Sequence, residues 1–118
     1  MDNLNLSYVG YKIDLTKRAC KELKHFPLEI RKFLVAKILL LRTDIKVLNI
    51  KKLKGSSLDL ERIKAHPYRI IFKVYKDKKK ILVLTALHRK DIYRTNLTID
   101  LSAVYVDLDN ELSDLLKH

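Results

Sequence analysis

The run Lys80 to Leu87, KILVLTAL, is nearly continuous in apolar residues and lies between two clusters of charge. It is short for a buried helix, and the charges stop it abruptly at both ends. It therefore reads as a central β-strand buried on both faces. The residues before it supply neighbouring strands. From Tyr68 to Lys76 the side chains alternate, with Tyr68, Ile70, Phe72 and Val74 on one face and Arg69, Ile71, Lys73 and Tyr75 on the other. Leu58 to Ala65 reads as a further strand, joined to it by a turn at His66-Pro67. Asp77-Lys78-Lys79 lacks the residues of a tight two-residue hairpin, which implies a longer loop.

The N-terminal third has a different period. Tyr11, Ile13 and Leu15 alternate with Lys12 and Asp14, as in a half-buried strand spanning Tyr8 to Leu15. Thr16 is placed to cap a helix over Lys17 to His25, with Ala19, Cys20 and Leu23 inward. Pro27 interrupts it. A second helix is expected from Leu28 to Leu41, where Ile30, Leu34, Ile38 and Leu41 form one stripe. Arg42 to Ser57 mixes apolar residues with lysines and reads as an irregular loop that turns at Gly55. Leu97 to Val106 suggests a strand and Asp107 to Lys117 a final helix. The fold class expected is α+β: a small antiparallel sheet packed against an N-terminal helical hairpin. The helices would cover one sheet face and leave the other partly open.

One compact domain accommodates 118 residues, and two Gly with two Pro leave little for long linkers. The expected organisation is a single domain over 1–118, with 97–118 as a C-terminal extension. Cys20 is the single cysteine, so no intramolecular disulfide can form, which fits a cytoplasmic chain. No apolar run is long enough to cross a membrane, and the first ten residues lack the pattern of a secretory signal, so no membrane partner is expected.

The net charge is +11, and residues 46–94 carry a surplus of that same size. Residues 95–118 are acidic. A localised cationic surplus on strands marks a face for a polyanion. The cations there are of the types that metal-free RNA cleavage needs. A base takes the proton of the 2′-hydroxyl, an acid protonates the leaving oxygen, and cations hold the charge on phosphorus. Arg offers a planar fork for phosphate oxygens, and His titrates near neutrality. Metal chemistry has little support: the carboxylates of this section are scattered and the four His have no ligand spacing. No cofactor is expected.

The segments YKIDLTKRACKELKHFP, LKGSS and YRIIFKVYKDKKKILVLTALHRKDIY resemble the RelE/ParE superfamily of toxin–antitoxin toxins. The resemblance covers roughly Tyr11 to Arg94. It implies a ribosome-dependent, metal-independent endoribonuclease that cuts messenger RNA, and a cognate antitoxin that silences it. By this resemblance Arg69 contacts the scissile phosphate, Arg89 stabilises the transition state, and Tyr93 stacks on the substrate nucleotide. Lys64, His66 or His88 is left to take the proton, because Arg stays protonated. Lys54, Arg62, His66 and Lys90 are the further RNA-binding candidates. Leu60 stands where the family pattern places another lysine. Two alternatives remain: a ParE-like inhibitor that binds DNA gyrase, and an inactive relative that still binds an antitoxin.

Overall fold

The structure, a computed structural model, describes residues 7–55, 57–92, 97, 99 and 103–117. Its elements run in the order β1 (Lys12–Leu15), α1 (Lys17–His25), α2 (Leu28–Thr43), β2 (Ile50–Lys52), β3 (Glu61–Ala65), β4 (Tyr68–Tyr75), β5 (Lys80–His88), β6 (Val106–Asp107) and α3 (Leu108–Leu115). The described strands form one sheet in the order β2-β3-β4-β5-β1-β6. This is the α+β architecture expected. The sheet is mixed: β1 runs parallel to β5, while the other neighbours are antiparallel.

β5 is the centre. Ile81 to Ala86 are all buried. Ile81, Val83 and Ala86 join the main core beneath the helices, together with Ile13, Leu15, Leu34, Ile38, Ile70 and Phe72. Leu82 and Leu84 join a second cluster on the opposite face with Leu60 and Ile71. Leu97, Ile99 and Tyr105 pack against that second cluster. The face expected to be partly open is thus partly covered by residues near the C-terminus.

The helices follow the sequence closely. Thr16 caps α1, its hydroxyl accepting from Ala19 N at 2.9 Å. Glu22 projects from α1 onto β5 beyond the end of β1. Its carboxylate accepts from Thr85 Oγ1 at 2.7 Å and Ala86 N at 3.1 Å, which satisfies an edge that β1 is too short to reach. Arg31 of α2 is buried, and it donates to the carbonyls of Lys24, Phe26, Leu115 and Lys117. One guanidinium therefore ties the C-terminal ends of α1 and α3 together, where unpaired carbonyls and the helix dipoles favour a cation.

Two expectations are corrected. The stretch after α2 is not a plain loop: a 3-10 turn at Ile45–Val47 leads into β2, which pairs with β3. The irregular mixture of Ile50 with Lys51 and Lys52 hid an edge strand, whose exposed side has no core to impose alternation. Toward the C-terminus, strand pairing is confined to Val106 and Asp107 among the described residues. The expected strand starting at Leu97 is absent at residues 97, 99 and 103–105, while residues 98 and 100–102 lie outside those described.

α3 begins later than its acidic run, with Asp107 as cap. Leu108 and Leu115 are fully buried in the main core. Each contributes about 1.5–3 kcal/mol, against about 0–1 kcal/mol for a surface ion pair, so burial rather than charge seats the helix. Arg42 and Lys24 add pairs to Asp109 and Glu111 at 2.7 and 2.8 Å. Among the described residues no helix is long and apolar enough to cross a membrane.

Two predictions follow from these contacts. Glu22→Ala leaves the buried Thr85 hydroxyl and the Ala86 amide unpaired, and should cost about 1–3 kcal/mol in urea unfolding. The hydrogen bonds from Arg42 and Lys24 hold the Asp109 and Glu111 carboxyls below their ordinary values of 3.8 and 4.5. Carboxyls that titrate lower in the folded chain stabilise it fully above those values and lose that contribution as pH falls through the folded ones. Hydrogen-exchange protection of α3 should therefore fall in that acid range before protection of β4 and β5 does.

Candidate functional site

Alternation along β3 and β4 builds the site. Ile63, Ala65, Ile70 and Phe72 point into the main core. Arg62, Lys64, Arg69 and Ile71 consequently project from the opposite face. The antiparallel register sets Lys64 directly across from Arg69, and Arg62 across from Ile71.

A β-bulge decides what β5 adds. Ile71 pairs with Thr85, but Phe72 pairs with Val83, so Leu84 is an extra residue in β5. The insertion reverses the facing of everything after it. Ala86 and His88 turn toward the helices, and Arg89 emerges on the side of Arg62 and Arg69. The turn that follows is tightly held: Arg89 N donates to Pro67 O at 2.8 Å, Asp91 N to His88 O at 2.9 Å, and Lys90 N to His88 Nδ1 at 3.1 Å.

The result is a recess of about 330 Å³ lined by Arg62, Arg69, Arg89, Lys90 and Ile92. Four cations converge, and among the described residues no carboxylate lines the recess. Arg69 is anchored by a 2.9 Å bond from its guanidinium to Tyr68 O. The Nε of Arg62 is buried without a hydrogen-bond partner among the described residues. A buried unpaired donor costs about 1–3 kcal/mol unless a ligand satisfies it. Confined like charges likewise favour an anion.

The remaining candidates are placed as follows. Lys64 shares the face, next to Arg69, but does not line the recess. His66 is exposed in the turn before Pro67. Lys54 is exposed in the turn that Gly55 makes with φ +80°. His88 lies on the other side of the sheet, edge-on to Tyr68 at 5.7 Å. Tyr93 lies outside the described residues. Leu60 is 1% exposed and belongs to the second apolar cluster, so the position lacking the family's lysine is filled by core. Ile92 was not foreseen as a lining residue; an isoleucine in a charged turn carries no sequence signal of that placement. Among the described residues no group of three or more His, Cys, Asp or Glu could hold a metal.

The chain is similar to the solved RelB–RelE antitoxin–toxin complex from Methanococcus jannaschii, at 34% identity and a TM-score of 0.55, over 68% of this chain and 94% of that one. This chain belongs to the RelE family of toxin–antitoxin toxins. Other RelE structures agree. The archaeal RelE–RelB complex from Pyrococcus horikoshii OT3 matches at 29% identity and a TM-score of 0.52, over 67% of this chain and 94% of that one. The intact E. coli RelBE complex matches at 25% identity and a TM-score of 0.53, over 67% of this chain and 96% of that one. These RelE matches span nearly the whole of their own chains but leave about a third of this one without a counterpart. No protein-family model matches the chain, and no curated protein does.

If the recess is built for a ligand, Arg62 is retained at a cost to the free protein. Arg62→Met should leave stability unchanged or raise it by about 1 kcal/mol in urea unfolding, because it removes a buried unpaired donor. The same variant should bind RNA more weakly, as measured by fluorescence anisotropy.

Proposed function

We propose that this RelE-family toxin is a cytoplasmic, metal-independent endoribonuclease that cuts messenger RNA on the ribosome and is silenced by a cognate antitoxin. The observation that carries the reading is the convergence of Arg62, Arg69, Arg89 and Lys90 on one recess that has no carboxylate among its described lining residues. Such a donor set holds a phosphate and not a metal ion. The RelE structures from M. jannaschii, P. horikoshii and E. coli were solved with RelB, which supports an antitoxin partner here.

The chemistry follows from these positions. The 2′-oxygen of a ribose attacks the adjacent phosphorus and loses its proton. The bond from phosphorus to the 5′-oxygen breaks, and that oxygen takes up a proton. Arg69 and Arg89 hold the extra negative charge on the phosphorane oxygens, where fixed donors contribute most. Arg cannot serve as base because it stays protonated. Lys64 is the titratable side chain that projects beside Arg69 from the same face, so it takes the proton in this reading. Arg62 and Lys90 hold the flanking phosphates, with Lys54 near the start of β3 and His66 just past its end as further contacts. Tyr93 stacks on the substrate nucleotide, as the family resemblance implies. No catalytic role is assigned to His88, since the bulge turns it to the helix side.

A purified translation reaction with a defined message tests this. New 5′ ends should appear by primer extension only where ribosomes occupy the message. Lys64→Arg keeps the charge but cannot act as base, and should slow cleavage by about 100-fold or more. Arg69→Ala and Arg89→Ala should each abolish growth arrest. Intact messages together with failed DNA supercoiling in treated cells would overturn the reading in favour of gyrase inhibition.

A further inference from the structure

The turn from His88 to Asp91 has a recess on each side. One is the cationic recess described above. The other, about 650 Å³, lies between α1 and the end of β5 and is lined in part by Arg18, Lys21, His25, Phe26, Leu87 and His88. Its two walls have different chemistry. The floor is made of the half-buried rings of Phe26 and His88. Phe26 and His88 both pack edge-on against Tyr68, at 5.3 and 5.7 Å, so a single buttress sets both rings. The α1 rim is exposed and polar, with Arg18, Lys21 and His25 standing along it. His25 is oriented by a 3.1 Å hydrogen bond between its Nδ1 and the carbonyl of Lys21. The carboxylates of Glu22 and Asp91 also line the groove. That of Glu22 is engaged by Arg18, Thr85 and Ala86.

A fixed aromatic floor beside a cationic rim suits a nucleotide. The base covers the rings, and the phosphate meets the rim. The groove shares the short His88–Asp91 turn with the Arg69–Arg89 recess, so one single strand passing over the turn can reach both.

We propose that the groove between α1 and the end of β5 is a second nucleotide subsite, which takes a base and phosphate flanking the scissile position of a single-stranded RNA. The proposal rests on the RNA-cutting reading above and extends it from one phosphate to a strand that bends across the turn. It also gives His88 a function: a base-stacking wall, reached because the bulge turns it away from the cleavage recess.

The test compares a trinucleotide with a hexanucleotide of RNA, each fluorescently labelled, by anisotropy at low salt. The wild-type chain should bind the hexamer about tenfold more tightly, the worth of one stacked base. Lys21→Glu combined with His25→Ala changes two exposed side chains, and should bring hexamer affinity down to that of the trimer while leaving the trimer unchanged. Lys37→Glu on α2 should change neither, which separates local contact from net charge. Arg69→Ala should weaken both lengths. A hexamer preference that survives the α1 double variant overturns the subsite while leaving the cleavage recess intact. So does a double variant that spares the hexamer but loses affinity for an antitoxin peptide, since the groove then belongs to a protein partner. Failure of both lengths to bind overturns the subsite, and the translation reaction described above then decides separately whether the RNA-cutting reading falls with it.

Discussion

The burial of β5 on both faces is the constraint on which the rest of the fold depends. Its side chains enter two separate apolar clusters, one beneath the helices and one on the reverse of the sheet. Its edges need partners, and β4 and β1 supply them. Where β1 ends, Glu22 takes over the exposed edge with its carboxylate. Loss of either cluster would leave a long apolar strand facing water, so the helices and the residues near the C-terminus are required together.

Two arginines show how the same side chain serves opposite ends. Arg31 is buried and spends its donors on helix-terminal carbonyls, which fastens α3 to the helical hairpin. Arg62 keeps a buried Nε without a partner among the described residues, in a recess it shares with three other cations. Arg31 likewise keeps a buried Nε without a partner among the described residues, so what separates the two is their surroundings: carbonyls around Arg31, cations around Arg62. Like charges gathered in one recess favour an anion, whereas the carbonyls around Arg31 already meet its charge.

Much of the fold was legible because single residues carried local rules. Thr16 announced the start of α1, Pro27 its end, and the alternation from Tyr68 to Tyr75 the two faces of β4. The lysine-rich edge strand β2 was not legible, since an edge strand exposed on one side has no burial to pattern it. Arg31 and Glu22 were also hidden, for their partners lie 84 and 63 residues away in sequence. The site was half legible. The cations Arg62, Arg69, Arg89 and Lys90 were all candidates, and their identity and spacing made them so. Their companions were less certain: His88, His66, Lys54 and Lys64 have the right chemistry, and only their placement separates them.

The sequence by itself determined that a doubly buried strand would sit in a sheet under a helical pair, with a cationic surplus at the strand exits. These properties depend on side-chain type and period, which are local. Tertiary structure alone decided which of two neighbouring residues, His88 or Arg89, would join the recess. Leu84 is accommodated as a bulge because β4 and β5 must both satisfy their apolar faces across Ile71 and Phe72. That one-residue offset reverses the facing of every later side chain, and no count along the chain reveals it, because the offset exists only between paired strands.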